Sequence, residues 1–177
     1  SAGYDGIFAP VSIETAAMII SQARDAGITC PIMAGDTWDD ISIAQRTGDK
    51  ATEIFFSAFF DAADTSNEAG KAFVEGLTKW VAEDSARVEN NGGVTDVISS
   101  VTPCGYDAYM AAVGAIEAAQ STEGAAIRDA LATLEIPGLI TGDLKFDDNG
   151  DAIKNYAVIK TIKDGQIVYF STFNGLE

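Results

Sequence analysis

Apolar residues in the first third of the chain fall in short runs without alternation, and a helical stripe follows each of the first two. Gly6-Ile7-Phe8-Ala9-Pro10-Val11 is the first run, and its lack of alternation predicts a strand covered on both faces. Ser12 offers an N-cap hydroxyl to a helix over about 13–26, whose stripe is Ile13, Ala16, Ala17, Ile20 and Ala23. Gly27 suits the position just past that helix. Residues 30–35 read as a second strand, with Pro31 near its start, where a missing ladder donor matters least. Residues 36–40 read as a loop before a short helix to about Arg46, and 52–60 as a third strand rich in phenylalanine. Strand, helix, strand, helix, strand predicts an α/β fold with a parallel sheet and right-handed crossovers.

The pattern then changes period. Thr65 and Glu68 have capping-box spacing and open a helix to about Glu83, with Ala69, Phe73, Leu77 and Trp80 or Val81 inward. Residues 84–100 are polar and contain Gly92-Gly93, which predicts a surface loop with at most a brief helical turn near Val97. A helix over about 105–119 would turn Tyr106, Tyr109, Met110, Val113 and Ile116 inward, and another would run from a cap at Ser121 or Thr122 to Leu134. No strand separates these helices, so their sheet must come from elsewhere. The end of the chain reads as β: an extended stretch over 139–146, a turn at Asn149-Gly150, and a hairpin over 156–162 and 166–172 across Asp164-Gly165.

Charge and composition narrow the function classes. Eleven Lys and Arg face 27 Asp and Glu, a formal charge of −16. Such a chain is a poor partner for nucleic acid or an anionic membrane surface, both of which need clustered cations. Histidine is absent, which removes His-based triads, imidazole bases and His-containing zinc sites. There is no G-x-S-x-G, Walker A or G-x-G-x-x-G run, and Cys104 lacks a histidine partner, so no nucleophile–base pair argues for an enzyme. Asp147-Asp148-Asn149-Gly150-Asp151 fails as a calcium loop, because aligning Gly150 puts Lys145 and Tyr156 where carboxylates are required. Cys30 and Cys104 either form one bridge or read as two small half-buried apolar groups, and sequence spacing does not decide between them. No cofactor is called for. The opening Ser-Ala-Gly-Tyr-Asp enters a strand almost at once, so an excised portion of a longer protein is expected.

What remains is a pair of strand ends, where ligands bind in open parallel sheets. Val11 and Ser12 follow the first strand, and Asp36, Thr37 and Trp38 the second. Together they offer a helix N-terminus, hydroxyls, a carboxylate and an indole. Asp36 could pair with an ammonium group and Trp38 could cover an apolar side chain or a cation. Equally, Asp36 could cap the short helix and Trp38 could be core.

These same segments carry a resemblance. Phe8-Ala9-Pro10-Val11-Ser12-Ile13-Glu14-Thr15, Gln22-Ala23-Arg24-Asp25-Ala26-Gly27-Ile28 and Pro31-Ile32-Met33-Ala34-Gly35-Asp36-Thr37-Trp38-Asp39 resemble the branched-chain amino-acid type of ABC-transporter solute-binding protein, a type I periplasmic binding protein. Lys71-Ala72-Phe73-Val74, Gly105-Tyr106-Asp107-Ala108, Ala126-Ile127-Arg128-Asp129-Ala130-Leu131, the run from Gly142 to Asp151 and Val158-Ile159-Lys160 follow in family order. Thr102-Pro103-Cys104 departs from the small apolar residues usual there.

The resemblance implies two α/β lobes that close on a ligand by hinge motion, present here only in part. Residues 1–62 would belong to the second lobe, 63–146 would be late helices of the first, and 147–177 a hairpin returning to the second. It implies that Asp36 meets a ligand's α-ammonium, that Val11 and Ser12 line the cleft, and that Trp38 walls it beside Thr37. The partners would be an amino acid and the transporter's membrane subunits, in the periplasm or at the cell surface. A receptor's sensory domain on the same fold is the alternative. An Asp36–ammonium contact on one lobe is exposed and screened, worth about 1 kcal/mol or less, whereas millimolar binding needs about 4 and micromolar about 8. The chain alone is therefore expected to bind amino acids weakly or not at all. Helices without their sheet are also expected to drive dimerisation or element swapping.

Overall fold

The computed structural model describes residues 3–63, 68–154 and 156–174; Thr65 of the expected capping box lies outside them. One mixed sheet runs in chain order through β1 (Ile7–Phe8), β2 (Ile32–Ala34), β3 (Ile54–Ala58), β4 (Tyr156–Lys163) and β5 (Gln166–Asn174). The first three strands are parallel, and the last two join antiparallel. Between the parallel strands lie α1 (Ile13–Asp25) and α2 (Ile41–Thr47). Gly27, at φ +75°, ends α1 with the N–H of Ile28 on the Ala23 carbonyl at 2.9 Å and its own N–H on Arg24 at 3.0 Å. The Arg24 guanidinium then donates to the carbonyls of Ile28, Cys30 and Thr52, tying the entries of β2 and β3 to the helix end.

The sheet is covered on one face, where both faces were expected. Strands laid side by side in chain order with crossovers of one hand place α1 and α2 on the same side. There Ile20, Ile32, Trp38, Ile43, Ile54 and Phe56 are buried in one core. Each such side chain contributes about 1.5–3 kcal/mol when removed from water. On the other face Phe8, Met33 and Phe55 stand in register, and Phe170 meets the Phe55 ring edge-on at 5.0 Å. Phe8 is 67% exposed and Phe170 57%. The β4–β5 hairpin turns on Asp164 and Gly165, both at positive φ, with Lys163 opposite Gln166. That is the geometry a two-residue hairpin demands. A register shift after Ile159 leaves Phe170 as the extra residue on β5.

The rest of the chain is helical: α3 (Glu68–Ala82), α4 (Ser85–Asn90), α5 (Val101–Ala119) and α6 (Gly124–Leu131). Helix α4 stands where a loop was expected, because Asp84 caps it by accepting from the Ala86 N–H at 2.8 Å. Arg87 stacks 3.9 Å from the Trp80 ring centre and braces it against α3. Helix α5 starts four residues earlier than expected, with Pro103 in its first turn, where no N–H is missed.

The fully buried line of α5 is Pro103, Asp107, Ala111 and Ala115; of the residues expected inward, Met110 packs partly buried against the Ala111–Leu139–Leu144 cluster and Tyr106 meets the Phe73 ring, while Tyr109 and Ile116 are exposed. Small residues four apart let the 139–144 segment approach, and Asp107 is buried because that segment's main chain satisfies it. Its carboxylate accepts the N–H groups of Ile140 (2.9 Å) and Thr141 (2.8 Å) and the Thr141 hydroxyl (2.7 Å). The 139–146 stretch makes only isolated bridges, Ile136 with Leu144 and Phe146 with Ala152. At the following turn, Asp147 accepts the N–H groups of Asn149 and Asp151, both at 2.9 Å, which holds its carboxyl below the usual carboxylate range. Those oxygens serve the turn. Among the described residues no group of three His, Cys, Asp or Glu could hold a metal ion, and no helix is long and apolar enough to cross a membrane.

Candidate functional site

The ends of β1 and β2 are laced together at one atom. The Trp38 indole N–H donates to the Val11 carbonyl at 3.0 Å, and the Thr37 hydroxyl donates to the same oxygen at 3.3 Å. A tight turn over Asp36–Trp38 makes this possible, with the Trp38 N–H on the Gly35 carbonyl at 3.2 Å and the Asp39 N–H on Asp36 at 3.0 Å. Trp38 is wholly buried beneath the ledge. It offers no open surface here, so it holds the ledge from below, contrary to the expected exposed wall. Val11 and Asp36 are half-buried, and Ser12 and Thr37 are exposed, so the ledge itself faces water.

Ser12 precedes α1 in an extended conformation, and its carbonyl accepts from Thr15 and Ala16. Its hydroxyl makes no capping bond to the helix main chain. Instead the Glu14 carboxyl, held below its usual range by the Ser12 hydroxyl and its own main-chain N–H, sits at that helix end. An acid in the first turn complements the helix dipole.

Asp36 is different. Among the described residues no hydrogen bond or ion pair engages its carboxylate, and it does not cap α2; Asp40 does, accepting the Ser42 N–H at 2.8 Å. Across from Asp36 lies the start of α5. Burial pushes the Cys104 thiol above its ordinary pKa, the Asp107 and Asp36 carboxylates push it the same way, and Lys154 pulls it down. Cys104 therefore lies within reach of the Asp36 carboxylate's field, a proximity that residue spacing along the chain cannot reveal. Glu14 was also missed as a site residue, although an acid in a first helical turn was the available signal. Lys154 donates to the Thr141 carbonyl and hydroxyl, both at 3.0 Å, beside an apolar cavity of about 540 Å³ lined in part by Cys104, Ala108, Ala111 and Leu144.

Against known proteins, the sequence matches the periplasmic binding protein family over residues 1–166. No curated protein matches it. Among solved structures it is similar to the leucine binding protein LivK of Thermotoga maritima, at 29% identity and a TM-score of 0.77, over 96% of this chain and 45% of that one. The branched-chain amino acid transporter substrate binding protein LivJ of Streptococcus pneumoniae, in complex with isoleucine, is 25% identical with a TM-score of 0.70, over 94% of this chain and 44% of that one. An ABC transporter substrate-binding protein of Desulfitobacterium hafniense, complexed with Leu, is 25% identical with a TM-score of 0.67, over 95% and 44% respectively. The chain spans less than half the length of each of these structures.

Proposed function

The chain belongs to the periplasmic binding protein family, and from that premise we propose that it forms part of the recognition component of an ABC importer for a branched-chain or related amino acid. The observation that carries this reading is the unpartnered Asp36 carboxylate on a ledge at the strand ends. It stands ready for a ligand's ammonium group. Val11, Ser12 and Thr37 line the same ledge, and Trp38 fixes its shape from beneath. Neighbours whose structures hold leucine or isoleucine support the amino-acid class.

In this reading 1–62 and 147–177 serve one lobe and 63–146 the other. The main sheet core, which draws its buried residues from 9–56 and Ile162, is consistent with that division, while Phe60 and Ala62 pack against Phe73, Leu77, Ile98 and Ile140 across it. Recognition proceeds by closure of two lobes without bond chemistry, at the periplasmic or outer face of the cell, and the closed form is handed to the transporter's membrane subunits. The ligand's α-carboxylate is held by groups from the remainder of the first lobe.

Calorimetry with leucine, isoleucine, valine and their deaminated and decarboxylated analogues tests the proposal. The 177-residue chain is expected to bind no amino acid tighter than about millimolar, because one screened ion contact falls short of the roughly 4 kcal/mol this requires. A two-lobe protein containing the chain is expected to bind the amino acids and to lose the deaminated analogues. Micromolar binding by the chain alone, or equal binding of deaminated analogues by the two-lobe protein, overturns the reading.

A further inference from the structure

Strand β5 closes one side of the sheet, and among the described residues no strand pairs with its outer edge. The hairpin decides which of its main-chain groups face outward. Lys163 and Gln166 flank the two-residue turn and exchange hydrogen bonds, after which bonded and non-bonded pairs alternate. Ile167 and Tyr169, opposite Ile162 and Lys160, fall at the non-bonded places. Their N–H and C=O groups therefore point away from β4.

Proteins blunt exposed edges with charge, proline, short strands or a bulge. Strand β5 has only the bulge at Phe170. It is 9 residues long, and 165–176 is the longest stretch of the chain without Asp, Glu, Lys or Arg. Every residue from Ile167 to Phe173 is β-branched, aromatic or serine, a composition that favours strand pairing. Tyr169, Phe170 and Phe173 are each more than half exposed. Charge selects the partner. Each copy carries −16, so two copies repel wherever acids face acids, and this edge brings none together.

We infer that β5 pairs antiparallel with β5 of a second copy, in the register that sets Val168 opposite the partner's Val168. Ile167 then exchanges main-chain hydrogen bonds with the partner's Tyr169, and Tyr169 with the partner's Ile167. The joint is two-fold symmetric and uses the same surface on both chains. The extra residue at Phe170 stops the ladder from continuing to Thr172, so the joint is short. It is smaller than a permanent interface, and the dimer forms only as concentration rises. None of this depends on the proposed function.

Sedimentation equilibrium and amide hydrogen exchange of the 177-residue chain test the inference, at about 0.15 M salt, where charges interact over about 8 Å. The wild type is expected to dimerise with concentration while the amides of Ile167 and Tyr169 gain protection in step. Val168→Lys and Val168→Glu each set like charges face to face, and each is expected to raise the dissociation constant about tenfold. Mixed in equal amounts, the two variants set opposite charges face to face and are expected to recover association. Val168→Thr keeps an uncharged β-branched residue and is expected to dimerise as the wild type does. A wild type that stays monomeric overturns the inference, as does a mixture that associates no better than either variant alone. Dimerisation without added protection at Ile167 and Tyr169 also overturns it and moves the contact to the face around Phe8 and Phe55. If a charged variant fails to fold, the exchange of the wild type decides.

Discussion

The Trp38 indole N–H meets the Val11 main-chain carbonyl at 3.0 Å, and this one bond makes a single ledge of two strand ends. It places an apolar ring under the site and leaves Asp36 above it. The Trp38→Phe variant keeps most of the ring and is expected to cost about 1–2 kcal/mol, the price of one buried hydrogen bond and a small void. Trp38→Ala should cost about 3–5 kcal/mol. Urea unfolding followed by circular dichroism measures both, and equal midpoints for wild type and Trp38→Phe would show that the bond contributes nothing.

Asp36→Asn separates recognition from folding. The carboxylate has no partner among the described residues, so stability should change by no more than about 0.5 kcal/mol. Amino-acid affinity of a two-lobe protein should fall about 10- to 100-fold, the worth of a charge-assisted bond. Calorimetry reads the second effect and thermal unfolding the first; unchanged affinity would remove Asp36 from the site.

Asp107 is the opposite case, a carboxylate consumed by structure. Asp107→Ala strips two main-chain N–H groups and a hydroxyl of their acceptor and should cost about 3 kcal/mol or more. Asp107→Asn retains one acceptor and should fall between. Hydrogen exchange at Ile140 and Thr141 should quicken in both variants, and unaltered exchange would show that the segment is held by other contacts.

The Cys104 thiol titrates above its ordinary value because it is half-buried and faces carboxylates. The folded chain therefore holds that proton more tightly than the unfolded chain, and by linkage this contribution to stability is present below the unfolded thiol pKa of about 8.5 and declines as pH rises past it. Denaturation at pH 7 and above pH 9 should show a loss that is smaller in Cys104→Ala. Alkylation of Cys104 should likewise stay slow until the pH exceeds the ordinary thiol range. Rapid labelling at neutral pH would contradict the assignment.

The bare face of the sheet, Phe8 through Met33 and Phe55 to Phe170, should make the isolated chain associate. With a formal charge of −16 on every copy, repulsion opposes this at low salt and is screened at high salt. Sedimentation should show association rising with ionic strength in the wild type and suppressed in Phe8→Ser/Phe170→Ser. A monomer at every salt concentration would count against the face as a sticky surface.

Local signals determined much of this protein. The apolar runs placed the strands, Gly27 the end of α1, and Asp164-Gly165 the hairpin, because each depends on neighbours in sequence and on main-chain conformations that few residues adopt. The order of short motifs pointed to the family, which the match over residues 1–166 bears out. Only the tertiary structure decided which faces are covered. Crossovers of one hand put both helices on one side of the sheet, and the 139–144 segment turned α5 toward Asp107 and its alanines in place of the tyrosines. The ledge followed the same division. Chain order brought Val11, Ser12, Asp36 and Thr37 to neighbouring strand ends, but the burial of Trp38 and the joining of Asp39 to Lys160 across 121 residues depend on packing between distant segments. Sequence period encodes which residues share a face; it does not encode what that face will meet.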